Sequence, residues 1–331
     1  MDESPPAAPI AQETPDPYTI ETVSTSILLS LFEAMQSTTP TAYRAHIHGA
    51  VRIMEHTGPN QCHQGVMCQL FFHIRTQMAF VNLTTGSTAP MVQVRRILLR
   101  NLEYRRLPVF QQLLDYIAIL AEVYVARDQG EQEQERRRGD AEAEERTEVA
   151  LFQFVESEIS RLYTEFTALA EAQGEALIYN PSPASQPIYR DSYTALTLSY
   201  FCAANILLSV LASRLDVASS IPSAVSRLCG KEVLLDDYAM ILDAARFLGA
   251  ERIGCAYMRT ATPLFLVAKH SPDASQRKEA VSIFEAWEKG SMRGISALAL
   301  GGLGEVGKRV DGDHGVESVG EVGSGLREIA V

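Results

Sequence analysis

No charged side chain occurs between Ser192 and Ser213. An uncharged stretch of that length has two places to go, the interior of a folded protein or a bilayer. Thr194, Thr197, Ser199, Asn205, Ser209 and Ser213 interrupt its apolar residues throughout and decide against lipid. In hydrocarbon each of these groups costs free energy unless paired, whereas a protein interior supplies partners. The segment therefore predicts a central buried helix, from about Tyr193 to Leu215, packed round by other helices. Apolar residues make up 46% of the chain and charged ones 21%, enough to build that surround.

The spacing on either side is helical. Val23, Ile27, Leu31 and Met35 recur at four-residue steps in a helix from about Glu21 to Met35. Tyr43, Ile47, Ala50, Val51 and Met54 mark a second helix, opened near Pro40 and stopped by Gly58-Pro59. A third is expected from about Gln64 to Leu83, a fourth after Pro90, and a fifth from Pro108 to about Ala126. Leu151 to Ala172 is amphipathic, with Leu151, Phe154, Val155, Ile159, Leu162, Phe166 and Leu169 read as one stripe. A loop at 180–187 precedes the uncharged helix. Further helices are expected at about 232–249, 251–269, 273–289 and Met292 to Leu300. Period-two alternation is rare and no βαβ rhythm occurs, so the fold class is all-α: an irregular multi-helix array around a central buried helix. Residues 1–19 read as a disordered proline-rich leader and 20–300 as the helical domain. Residues 127–148 read as a charged linker or loop within it, and 301–331 as a glycine-rich tail.

A formal net charge of −12 repels phosphate backbones, which weighs against direct nucleic-acid binding. Cys62, Cys68, Cys202, Cys229 and Cys255 are odd in number and form no disulfide spacing, as for reduced thiols inside a cell. The acidic start lacks the basic patch and apolar run of a secretion signal. Arg136-Arg137-Arg138 is flanked by acids and reads as part of a solvated charge run.

Gly302 to Lys308, GLGEVGK, fits a glycine-rich nucleotide loop in letters. Arg309 stands where a P-loop needs Ser or Thr, and the run before it looks helical where a strand is required. His46, His48, His56, Cys62, His63, Cys68 and His73 cluster in sequence, but without the paired-cysteine spacing of a zinc site, and Cys68 reads as core. Asp236-Asp237 and the Glu156/Glu158 pair read as solvated helix starts and faces, and Asp191 as a helix N-terminal charge. No catalytic, cofactor-binding or metal-ligating residue is assigned, and no cofactor is expected.

Tyr43 to Pro59, YRAHIHGAVRIMEHTGP, resembles the fungal-specific transcription factor domain, the helical region that follows the zinc cluster in fungal binuclear zinc-cluster regulators. His46, Gly49, Ala50, Gly58 and Pro59 carry the likeness, and Thr57 stands where that family often has an arginine. The long tyrosine-containing helix from Tyr193, and Trp287 followed by Arg293-Gly294-Ile295, are similar to the family's later segments. The six cysteines of its DNA-binding module are missing. The resemblance implies a helical effector or interaction domain that regulates transcription, in fungal metabolism or secondary-metabolite gene control, nuclear or cytoplasmic. Its implied partners are a co-regulator, a full-length zinc-cluster relative or a small-molecule effector, with no direct contact to nucleic acid or membrane. The alternatives are an enzyme or accessory protein of fungal secondary metabolism on the same scaffold, and a helical interaction scaffold. The stripe from Ile27 to Met35 and the helix around Leu113 to Leu120 are its candidate contact faces.

Overall fold

A computed structural model describes residues 17–37, 39–57, 65–86, 107–130, 141–179, 186–214, 231–251 and 254–312. The expected fourth helix after Pro90, the stop at Gly58-Pro59, Cys62, His63, Cys229 and the Arg136–Arg138 run lie outside them. The described chain is all-α, with one two-residue strand pair. In order it forms α1 (Pro17–Gln36), α2 (Pro40–Thr57), α3 (Gly65–Thr85), α4 (Val109–Gly130), α5 (Ala141–Ala172), β1 (Ile178–Tyr179) and β2 (Ile188–Tyr189). There follow α6 (Ser192–Arg214), α7 (Lys231–Glu251), α8 (Gly254–Arg259), α9 (Ala261–His270), α10 (Ala274–Lys289) and α11 (Arg293–Gly312).

The uncharged segment is α6. Asp191 caps it, accepting from the Thr194 amide at 2.6 Å, so the expected N-terminal charge is a true cap. Helices α4, α5, α7, α8 and α9 pack around it, and 78% of an 18-residue apolar window within Ser192–Ser213 is buried. By length and composition α6 and the Val109–Arg127 stretch of α4 are both long and apolar enough to cross a membrane. Its Ser199 hydroxyl donates to the Leu196 carbonyl one turn back at 2.7 Å, which is how a buried hydroxyl is tolerated there.

A second helix is as deeply placed. From Met67 to Thr84, α3 is buried on nearly every side by α1, α2, α4, α9 and α11. The core therefore has two central helices, bridged by α4 and α9, where one was expected. Arg75, Thr76, Gln77, Asn82 and Thr84 disguise the second.

Several boundaries differ for identifiable reasons. The helix expected at 251–269 is interrupted. The chain turns at Thr260, and Pro263 cannot return an N–H to the Arg259 carbonyl four residues earlier. The charged linker is partly helical, its ends continuing α4 to Gly130 and starting α5 at Ala141. The glycine-rich tail is helical to Gly312, because α11 packs closely on α1, α2 and α3. A Cβ on Gly302 would stand 2.8 Å from the Thr84 carbonyl oxygen, so glycine is what lets α11 lie there. Helix through Gly302 to Lys308 also removes the nucleotide-loop reading, since its amides point along the helix instead of converging on a phosphate.

The strand pair was not expected. Ile178 opposes Tyr189 and Tyr179 opposes Ile188, antiparallel, and the Tyr189 hydroxyl donates to the Met240 carbonyl of α7 at 3.2 Å.

Candidate functional site

Helix α1 has two apolar sides. Val23, Ile27, Ser30 and Ala34 face inward and are buried. Leu28 (65% exposed), Leu29 (43%), Phe32 (55%) and Met35 (41%) face outward. Steps of 28, 32 and 35 keep one face of a helix, so these side chains form a continuous ridge. The stripe of Val23, Ile27, Leu31 and Met35 does not keep to one side of the helix, for a geometric reason. Each four-residue step turns about 40° beyond a full turn, so three steps carry Met35 about 120° from Val23.

The inner side is clamped by α2 and α11. Ser26 Oγ donates to the His46 carbonyl of α2 at 3.0 Å. A Cβ on Gly49 would lie 3.6 Å from that same Ser26 oxygen, an ordinary contact, and Ala50 is fully buried. At the other end, a Cβ on Gly294 of α11 would stand 2.1 Å from the Glu33 carbonyl oxygen. Only glycine permits that approach. A shallow groove of about 400 Å³ runs beside the ridge between α1 and α2, lined by Glu21, Thr22, Thr25, Ser26, Leu29 and Ile53. An apolar ridge beside a groove with an acidic end suits a helix from a partner protein.

The other expected contact face is not available. Leu113, Leu114, Ile117 and Leu120 of α4 are buried in the core. On α5 the stripe is also corrected: Phe152, Val155, Ile159, Leu162, Phe166 and Ala170 are buried, while Phe154 and Leu169 are exposed. Phe154 lies one residue, about 100°, from Val155 and so falls off the face.

Asp237 is the residue sequence reasoning misplaced. Asp236 is exposed as expected, but Asp237 is 9% exposed, on the side of α7 that meets α6. Asn205 Nδ2 donates to its carboxylate at 3.3 Å, and the Cys202 thiol stands beside it. Burial pushes the Asp237 carboxyl up to about 6 despite those two contacts, and Asp236 adds to the rise. Burial also pushes the Cys202 thiol well up, which makes it a poor nucleophile. Leu234, Tyr238 and Ile241 at helical spacing around Asp237 were the available signal that it faces the core. Glu156 is also buried, and burial raises its carboxyl. Glu158 accepts from Tyr116 at 2.9 Å and pairs with Arg161.

Among the described residues no three His, Cys, Asp or Glu side chains come close enough to hold a metal. Cys68 is buried in α3, as expected for a core thiol. No family model, curated protein or solved structure matches this chain.

Proposed function

We propose that this chain is a helical regulatory domain that works by binding another protein, in the manner the resemblance to the fungal-specific transcription factor domain implies. One observation carries the reading. α1 is held rigidly from behind by α2 and α11 while it presents Leu28, Leu29, Phe32 and Met35 outward. A single-sided amphipathic helix would put such side chains inside, and an exposed apolar ridge on a fixed support is what a docking surface needs. The partner is a co-regulator or a full-length zinc-cluster relative, because a chain of net charge −12 needs another protein to reach DNA. The test is a deletion strain complemented with wild type or with the Leu28→Glu/Phe32→Glu variant. Wild type restores the transcript set and co-purifies with a zinc-cluster regulator, and the variant does neither. Unchanged transcripts on deletion would sink the reading.

A second reading has its own observation. Asp237, with a carboxyl poised near neutrality beside Asn205, is the kind of group that moves protons in an enzyme. On that reading deletion blocks a metabolic step, an intermediate accumulates, and transcripts stay as they were.

A further inference from the structure

Five polar side chains from four helices close a ring inside the molecule. The Tyr43 hydroxyl of α2 donates to Gln77 Oε1 of α3 at 2.5 Å. One turn earlier on α3 stands His73, close enough to Arg259 for the guanidinium to oppose its protonation. Arg259 ends α8, and its carbonyl accepts from Tyr200 Oη of α6 at 2.9 Å. Pro263 leaves that carbonyl without a helical partner, so the tyrosine can take it. Tyr200 is in turn near enough to add to the rise in the Tyr43 pKa that burial causes, so two hydrogen bonds and two electrostatic contacts make up the circuit. Tyr43, Gln77 and Tyr200 are buried, while His73 and Arg259 are half-buried.

The ring leaves nitrogen atoms over. His73 Nε2, Gln77 Nε2 and Arg259 Nε are buried without a hydrogen-bond partner, and Gln77 as a whole is 2% exposed. More than nine in ten buried polar groups in proteins are paired, so three orphans in one ring call for a shared partner. Gln77 Nε2 and Arg259 Nε can only donate. Burial, and then Arg259, lower the His73 imidazole to about 4, so it is neutral near pH 7 and carries one N–H. Among the described residues no carboxylate pairs with Arg259, although acids outnumber bases in the chain. One unpaired cation with surplus donors around it fits a group that only accepts and carries one negative charge.

We propose that Arg259, Gln77 and His73 form a binding site for a small carboxylate-bearing molecule. A carboxylate matches the single cation, whereas a phosphate dianion would leave charge uncompensated. The ring shares no residue with the α1 ridge or its groove, so either can fail without the other.

The test titrates the full chain with acetate, succinate and inorganic phosphate against sodium chloride of equal ionic strength, read by calorimetry and thermal melting. Acetate or succinate should bind saturably at one site and raise Tm above the chloride control, and more strongly than phosphate. Arg259→Gln and Gln77→Leu should each weaken that binding about tenfold or more. Arg259→Lys keeps the charge but loses the Nε donor, and should weaken it less. Arg161→Gln, at an exposed ion pair on α5, should leave it unchanged. Bound anion should also raise the His73 pKa seen by nuclear magnetic resonance, an effect that general stabilisation by salt does not produce. No saturable carboxylate binding, binding that survives Arg259→Gln, or tighter binding of phosphate would each overturn the proposal.

Discussion

Helices α1 and α3 break the same rule in opposite directions. α1 carries Leu28, Leu29, Phe32 and Met35 into solvent, and α3 carries Arg75, Gln77 and Asn82 into the core. Both inversions cost free energy, one by leaving apolar area wet and the other by drying polar groups. They are handled differently. The Arg75 guanidinium pairs with Asp115, donates to Gln111 Oε1 and to the Gln111 carbonyl at 3.2 Å each, and lies over the Phe71 ring. The outward side chains of α1 leave about half of their surface open. A polar group inside with a full set of partners is a device of the fold, whereas an apolar group outside with none points to something beyond it. Gln77 is the intermediate case, since its oxygen has a partner and its nitrogen has none.

If Arg75 is structural, removing it should have the largest effect. Arg75→Ala removes the guanidinium that pairs with Asp115 and serves both Gln111 acceptors and opens a cavity, and should cost about 3 kcal/mol in chemical denaturation. Burial already lowers the Arg75 pKa, with Asp115 opposing that shift, so the charge is held at a cost. The Arg75→Met/Asp115→Leu double variant removes both charges and should recover most of the loss. A double variant as unstable as Arg75→Ala would mean that the pair does more than fill space.

Asp237 extends the comparison to a polar group inside whose partners are too few. Its carboxyl holds its proton more tightly when folded, at about 6 against 3.8, so its contribution is fully present below about pH 4 and fades as pH rises through 6. Asp237→Asn removes the buried charge. It should stabilise the protein by roughly 3 kcal/mol at pH 7.5 and by about 0.5 kcal/mol or less at pH 4. Tyr163, Tyr238, Cys202 and Asp236 are the other titratable groups around it, and burial raises the two tyrosines and the thiol, which keeps those three neutral in that range. Denaturation midpoints of both proteins from pH 4 to 8 read the difference directly. A constant offset would remove Asp237 as its source.

The fold class and the burial of α6 were legible because an uncharged helix has few environments open to it. The burial of α3 was not, since Arg75 and Gln77 are acceptable in a core only through Asp115, Gln111 and Tyr43, all distant in sequence. The break at Thr260 was readable from Pro263 alone, but the use of the freed carbonyl by Tyr200 was not. For α1 the apolar positions were visible but not which of them face out, because four-residue steps drift around a helix. Whether Asp237 faced water or protein depended on where α7 docked, which no local pattern records.

The smallest expected change in stability belongs to α1, and it is the one that separates the two helices most sharply. Leu28 and Phe32 are more than half exposed, so Leu28→Glu and Phe32→Glu put charges where water already is. The stability cost should stay within about 0.5 kcal/mol, the usual range for surface substitutions. α1 has no basic residue between Pro17 and Gln36, so the new glutamates meet no i,i+4 ion partner on their own helix and gain nothing there. Against a partner the same change is severe, because two carboxylates would have to be dried in the middle of an apolar contact. Binding should fall by a hundredfold or more, to order of magnitude, while the melting curve barely moves. Gln153→Glu, exposed on α5 and outside both the ridge and the groove, serves as the control and should leave both readouts unchanged. A double variant that lost several degrees of Tm would show that the ridge packs against the protein itself, and α1 would then need explaining as α3 is, by partners within the fold.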